Sequence, residues 1–296
     1  MVQSFAARMR AAAERNGSLV CVGLDPDVER FPTALRERFT TDPAGAITEF
    51  NRAIIEATAD LACAYKPNLG FYMAYGLAGL EALARTREAI PADVPVILDA
   101  KVNDLGSTAT AYAAGYFDAF GFDAVTFSPY MGGDSLAPFL TRPGRGVFIL
   151  CRTSNPGARD LQDLPVGGSA GGAVDGVARP LYEAVARQIA AWVEQFDAAG
   201  ACGAVTGATY PREIAAIRAL LPNAPLLIPG VGEQGGSVAE AVRAGIDAEG
   251  FGALISASRS LTYASSGADF ATAARMATNT LREAINEARA TIPSAR

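Results

Sequence analysis

Apolar residues along the chain gather into eight short, β-rich runs, at 18–25, 61–68, 94–101, 123–128, 146–152, 201–207, 224–229 and 248–256. Helix-like stretches lie between and after them at 44–60, 75–90, 106–120, 174–199, 210–221, 236–244 and 269–290. In 44–60, Ile47, Phe50, Ile54 and Ile55 recur with the helical period and define one buried stripe. Repeated strand–helix alternation is the pattern of a parallel sheet covered by helices. Eight repeats in 296 residues predict an α/β fold of the (β/α)8 (TIM) barrel type. Phe5, Ala6, Met9, Ala12 and Ala13 add a helix ahead of the first strand, expected to cap one end of the barrel. The fourth and sixth crossovers read as short. No linker or charge block divides the chain, so 1–296 reads as one barrel domain. Segment 153–176, rich in Gly, Pro, Asp and Ser, is the one long irregular stretch; its composition suits either a lid or a disordered insertion.

Composition narrows the function classes. Half the residues are apolar, and the net charge of −6 argues against a nucleic-acid or polyanion binder. Cys21, Cys63, Cys151 and Cys202 form no CxxC pair and lie in or beside apolar runs. Reduced, buried cysteines in a cytoplasmic protein are therefore expected, not a metal site or a disulfide framework. No run is long enough for a membrane span. Arg8, Arg10 and Arg15 give the N-terminal segment a superficial likeness to a transit peptide, but its apolar spacing favours the capping helix. Histidine is absent, which excludes His-based triads, metal sites and general bases. An acid–base catalyst must be Lys, Asp, Glu, Tyr or Cys.

In a barrel the polar residues at the strands' C-terminal ends face the site. Those ends supply Asp25 and Asp27, Lys66 and Asn68, the stretch Asp99-Ala100-Lys101-Val102-Asn103-Asp104, Thr153, Ser154 and Asn155, and finally Ser256, Ser258 and Arg259. Strand alternation would put Asp99 and Lys101 on one face. An ordinary ion pair is one reading of these two; a rim where several strands deliver charge is the other. Gly230-Val231-Gly232-Glu233-Gln234-Gly235 matches GxGxxG, with Glu249 downstream, but it follows the seventh strand and not the first strand of a dinucleotide fold. A phosphate site at a helix N-terminus, with Arg259 on the neighbouring strand end, accounts for it better. A Schiff-base aldolase using Lys66 or Lys101 remains a rival, although acids on both sides of Lys101 favour its ammonium form.

Several motifs together resemble one family. They are Leu24-Asp25-Pro26-Asp27, Tyr65-Lys66-Pro67-Asn68, Asp99-x-Lys101-x-x-Asp104-Leu105-Gly106, Pro129-Tyr130-Met131-Gly132-Gly133-Asp134-Ser135, Cys151-Arg152-Thr153-Ser154-Asn155-Pro156-Gly157 and the loop 229–236. The chain is similar to the orotidine 5′-phosphate decarboxylases, in their longer bacterial subgroup; Val102-Asn103 departs from the Arg-Gly often found there. The resemblance implies cofactor-free and metal-free conversion of orotidine 5′-phosphate to UMP in pyrimidine synthesis. It implies a cytoplasmic homodimer with shared sites and no nucleic-acid or membrane partner. It assigns Lys101 as proton donor to C6, Asp99 facing the substrate carboxylate, Lys66 completing the network, and Asp104 reaching the partner's site. Asp25 and Thr108 would contact the ribose, Ser154 the pyrimidine, and Gln234, Gly235, Arg259 and Tyr263 the phosphate. Related metal-dependent sugar-phosphate decarboxylases, which share Asp-x-Lys-x-x-Asp, and a non-catalytic nucleotide-phosphate-binding protein are the remaining rivals.

Overall fold

The strands of the computed structural model, which describes residues 2–167, 177–231 and 235–291, are almost wholly apolar. In chain order they are β1 Val20–Leu24, β2 Ala64–Pro67, β3 Ile97–Val102, β4 Ala124–Phe127, β5 Gly146–Arg152, β6 Pro165–Val166, β7 Arg179–Pro180, β8 Cys202–Thr206, β9 Leu226–Pro229 and β10 Ala253–Ala257. Every residue of β1, β2, β4, β8 and β10 is buried, as expected for strands covered on both faces. β6 and β7 make a small antiparallel pair. The other strands form one parallel eight-stranded sheet in the order β2-β1-β10-β9-β8-β5-β4-β3. Its two ends meet: the Tyr65 N–H donates to the Pro95 carbonyl at 3.0 Å, and isolated bridges join Tyr65 to Val96 and Asn68 to Asp99. The sheet is thus a closed (β/α)8 barrel, with this seam stitched at separated points and not by a continuous ladder.

Amphipathic helices pack outside. Pro43–Thr58 starts at Asp42, whose carboxylate accepts the Gly45 N–H at 2.9 Å, and buries Ile47, Phe50, Ile54 and Ile55. The expected extra helix is Phe5–Asn16, capped by Ser4 and ended by Gly17 in the left-handed conformation. It closes the N-terminal end of the barrel. Phe5 meets Phe148 edge-on at 5.7 Å, and Arg8 reaches Asp123 at 2.8 Å. Asp123 is 2% exposed and also accepts from Arg87, Arg145 and the Val96 N–H. Three guanidiniums around one buried carboxylate make this the charge lock of the barrel floor. Asp123→Ala should lower unfolding free energy by about 3 kcal/mol, the low end for a broken buried pair because the arginines can rehydrate. Urea denaturation measures this; a loss within error of zero would refute the lock.

The structure corrects several boundaries. The eighth barrel strand begins at Ala253 and not at 248, because the Asp247 carboxylate accepts the N–H groups of Glu249 and Phe251 at 2.9 Å each and curls the chain first. The helix expected at 106–120 is regular only over Gly106–Ala113 and widens into a π-type turn over Ala114–Ala119. The helix expected at 174–199 is Leu181–Gln195, and 174–176 lie outside the described residues. The short fourth crossover contains a helix, Gly133–Leu140. Within 153–176, residues 153–167 hold the turn Pro156–Asp160 and β6, and 168–176 lie outside the described residues. All four cysteines are buried and unpaired. Among the described residues, no helix is long and apolar enough to cross a membrane.

Candidate active site

Asp99, near the end of β3, is the hub of the C-terminal rim. Its Oδ2 accepts from Lys66 Nζ at 3.0 Å and Asn68 Nδ2 at 3.2 Å; its Oδ1 accepts from Lys101 Nζ at 2.6 Å and Thr126 Oγ1 at 2.9 Å. Four donors therefore fill the carboxylate. The Lys66 and Asp99 side chains are 7% and 11% exposed, whereas Lys101 is half open to solvent. Burial alone would push Asp99 up, but the two ammoniums, Lys66 first, hold it well below the usual 3.8. Burial would likewise pull Lys66 down, but Asp99, with Asp25 behind it, holds its ammonium above the usual 10.5. Both groups of the buried pair are charged.

β1 delivers a second carboxylate to the same rim. Asp25 Oδ1 accepts the Asn68 N–H at 3.1 Å, and Oδ2 accepts the Ser258 hydroxyl at 2.7 Å. Ser258 fits because Gly23 lacks a side chain; a Cβ there would lie 1.7 Å from Ser258 Oγ. Tyr263 donates its hydroxyl to the Asp25 carbonyl at 2.9 Å and accepts the Asp27 N–H at 2.6 Å, so it shapes the loop after β1. Asp25, Lys66, Asn68, Asp99, Gly230 and Arg259 line a cleft of about 290 Å³. After β9 the Gly236 N–H donates to the Gly230 carbonyl at 3.3 Å, and the chain then enters helix Val238–Gly245. Gly235 directly precedes Gly236; Gln234 lies outside the described residues.

Ser154 follows β5 and sits against Gly207, where an added Cβ would approach the Ser154 Cβ to 2.7 Å. The neighbouring chain is tied down. Gln162 Oε1 accepts the Thr153 N–H at 2.8 Å, and the buried Arg152 guanidinium pairs with Asp163 at 3.0 Å and stacks 3.9 Å over the Tyr210 ring. Asp104 and Thr108 lie past β3. Asp104 accepts the Leu105 N–H at 2.8 Å, and no ion pair to Lys101 is formed within the chain. Thr108 is exposed on helix Gly106–Ala113. Burial pushes the Cys21, Cys151 and Cys202 thiols up to about 12 and raises Cys63 as well, which removes cysteine from the catalytic candidates. Of the other candidate types, the described residues lining the cleft include lysine and aspartate but no glutamate or tyrosine.

A family model described as the orotidine 5′-phosphate decarboxylase / HUMPS family matches residues 18–277, nearly the whole barrel. The chain belongs to this family. An orotidine 5′-phosphate decarboxylase of Thermomicrobium roseum is 50% identical over 97% of this chain and 96% of its own length. One from an Azoarcus species is 49% identical over 95% of the chain and 98% of the relative. Among solved structures, Leishmania donovani OMP decarboxylase superposes with a TM-score of 0.80 at 40% identity, covering 98% of this chain and 100% of that one. The protein is accordingly an enzyme of the carboxy-lyase class.

Three supporting residues hold the site together: Asn68 and Ser258 were expected at the site-facing rim without a role, and Thr126 was not expected there at all. Asn68 lies two residues past Lys66, so strand periodicity could have aimed it at the same carboxylate. Ser258 was legible only as a rim residue. Thr126 carried no signal, because its partner depends on how β4 is registered against β3.

Proposed function

We propose that the chain, with 1–296 acting as one domain, converts orotidine 5′-phosphate to UMP without a cofactor, in pyrimidine biosynthesis. The observation that carries this reading is the Lys66–Asp99–Lys101 alternation, saturated with donors and set at a cleft also lined by Gly230, Val231 and Arg259. The phosphate would lie on the loop with Gln234, Gly235 and Arg259, where backbone amides and a guanidinium suit a dianion. Asp25 would take a ribose hydroxyl, and Ser154 the pyrimidine. The substrate carboxylate would face Asp99.

In the reaction the C6–carboxylate bond breaks, its electron pair stays on C6 and carbon dioxide departs. The Lys101 ammonium stabilises that developing carbanion and transfers a proton to C6; the resulting amine is reprotonated from water. Lys66 keeps Asp99 ionised and fixed, so that the charge pattern is in place before substrate arrives.

A homodimer with shared sites completes the proposal. Among the described residues Asp104 pairs with no cation, and Phe71, Met73, Leu77, Leu105, Tyr112 and Tyr130 leave apolar surface exposed on the segments following β2, β3 and β4. Asp104 and Thr108 would then serve the partner's cleft. Loss of orotidine 5′-phosphate absorbance should proceed at an unchanged rate with chelator present, and no substrate adduct should be trapped by borohydride. Chelator-sensitive turnover or a trapped adduct would refute the reading. Mixing inactive Lys101→Ala and Asp104→Ala chains should restore about a quarter of wild-type activity, because half the dimers are mixed and each has one intact site. No regain would refute sharing of Asp104.

A further inference from the structure

We infer that Thr126 is a positioning residue that sets the proton donor and its carboxylate in register; the inference rests on the proposed roles of Lys101 and Asp99. β3 does not run regularly through these residues. Its pairing with β4 shifts between Leu98 and Val102, and Lys101 has φ of +48°, in the left-handed region that non-glycine residues rarely occupy. Such a conformation persists only where surrounding contacts impose it.

One hydroxyl supplies that contact. Thr126, 2% exposed on β4, accepts the Lys101 N–H at 2.9 Å and donates to Asp99 Oδ1 at 2.9 Å. The same Oδ1 accepts from Lys101 Nζ at 2.6 Å. The hydroxyl thus uses its lone pair to hold the backbone of the lysine and its hydrogen to hold the carboxylate facing that lysine's ammonium. It fixes both ends of the Lys101–Asp99 contact from a neighbouring strand without itself lining the cleft. A β-branched side chain is also stiff at χ1, so the hydroxyl is presented in one direction.

Thr126→Val keeps the shape and removes both hydrogen bonds. It should lower kcat for orotidine 5′-phosphate by about 10- to 100-fold, the scale of a misplaced catalytic group, while KM and UMP affinity change less than about twofold. Thr126→Ser, which restores the hydroxyl, should return kcat to within about threefold of wild type. Thr126→Ala removes the hydroxyl by a different route and should reproduce the kcat-only loss. The inference is overturned if either hydroxyl-free variant that folds retains wild-type kcat, if serine does not rescue, or if KM rises and UMP affinity falls in step with the loss of kcat. Failure of the proposed reaction shows separately, as wild-type enzyme that does not consume orotidine 5′-phosphate.

Discussion

Lys101→Ala should cut kcat for orotidine 5′-phosphate by at least about 10,000-fold, roughly 5.5 kcal/mol of transition-state stabilisation. Two contributions are lost together. A positioned general acid is worth about 100- to 10,000-fold, and a preorganised charge beside developing anionic character about 100- to 1,000-fold. Lys101→Arg separates them, since a guanidinium keeps the charge but does not release a proton at neutral pH. The arginine variant should therefore recover only the electrostatic share. Because Lys101 is half exposed, neither change should much alter the melting temperature, and UMP should still bind. An alanine variant within tenfold of wild type would remove Lys101 from the chemistry altogether.

Lys66→Met should damage both stability and activity. Asp99 is 11% exposed, and deleting its buried partner leaves a charge that Lys101 and two neutral donors must satisfy. We expect about 3–5 kcal/mol loss of unfolding free energy at pH 7 and a kcat reduced by about 100-fold or more. The pH dependence carries a definite sign. Asp99 is held below 3.8, so its contribution is complete above that value and is lost as pH falls through the folded-state value. Lys66 is held above 10.5, so its contribution is complete below that value and is lost as pH rises through the folded-state value. The wild-type pair should stabilise evenly from about pH 4 to about pH 10. The deficit of the methionine variant should narrow once acid protonates Asp99, which then no longer needs an ammonium. Urea titrations at pH 7 and pH 3 test this; a deficit equal at both would mean that packing, not charge, is what Lys66 supplies.

Much of this architecture was legible along the chain because its signals are local. β5 matches the expected 146–152 at both ends: Pro143-Gly144 precedes the apolar run, and the polar Thr153-Ser154-Asn155 follows it. The helix Phe5–Asn16 was equally plain from the spacing of its apolar residues. What failed depended on distant or unusual geometry. The start of β10 was hidden by the turn that Asp247 organises. Helices Thr33–Phe39 and Leu69–Met73 were missed because each is too short to establish a period. Within the site, Asp99 and Lys101 do meet, but strand alternation was an incomplete reason: a register shift and a left-handed lysine bring them together. Thr126 was invisible for the same cause, since no local pattern reports which residue of β4 stands opposite an irregular stretch of β3.

The seam between β2 and β3 has a consequence for how this barrel can change. Elsewhere around the cylinder neighbouring strands share backbone ladders, with register shifts at β3–β4 and β5–β8, and such ladders are indifferent to side-chain charge. Here two bridges stand apart, and the Lys66–Asp99 contact spans the gap like a clasp. Closure of the wall and the proposed chemistry thus both draw on the same buried ion pair. Neutralising the carboxylate would slacken the wall and silence the reaction in one step, so selection for a sturdier seam and selection for turnover preserve the same pair. Backbone amides along 64–68 and 97–99 should be the first of the inner wall to breathe, and should do so sooner once that clasp is undone.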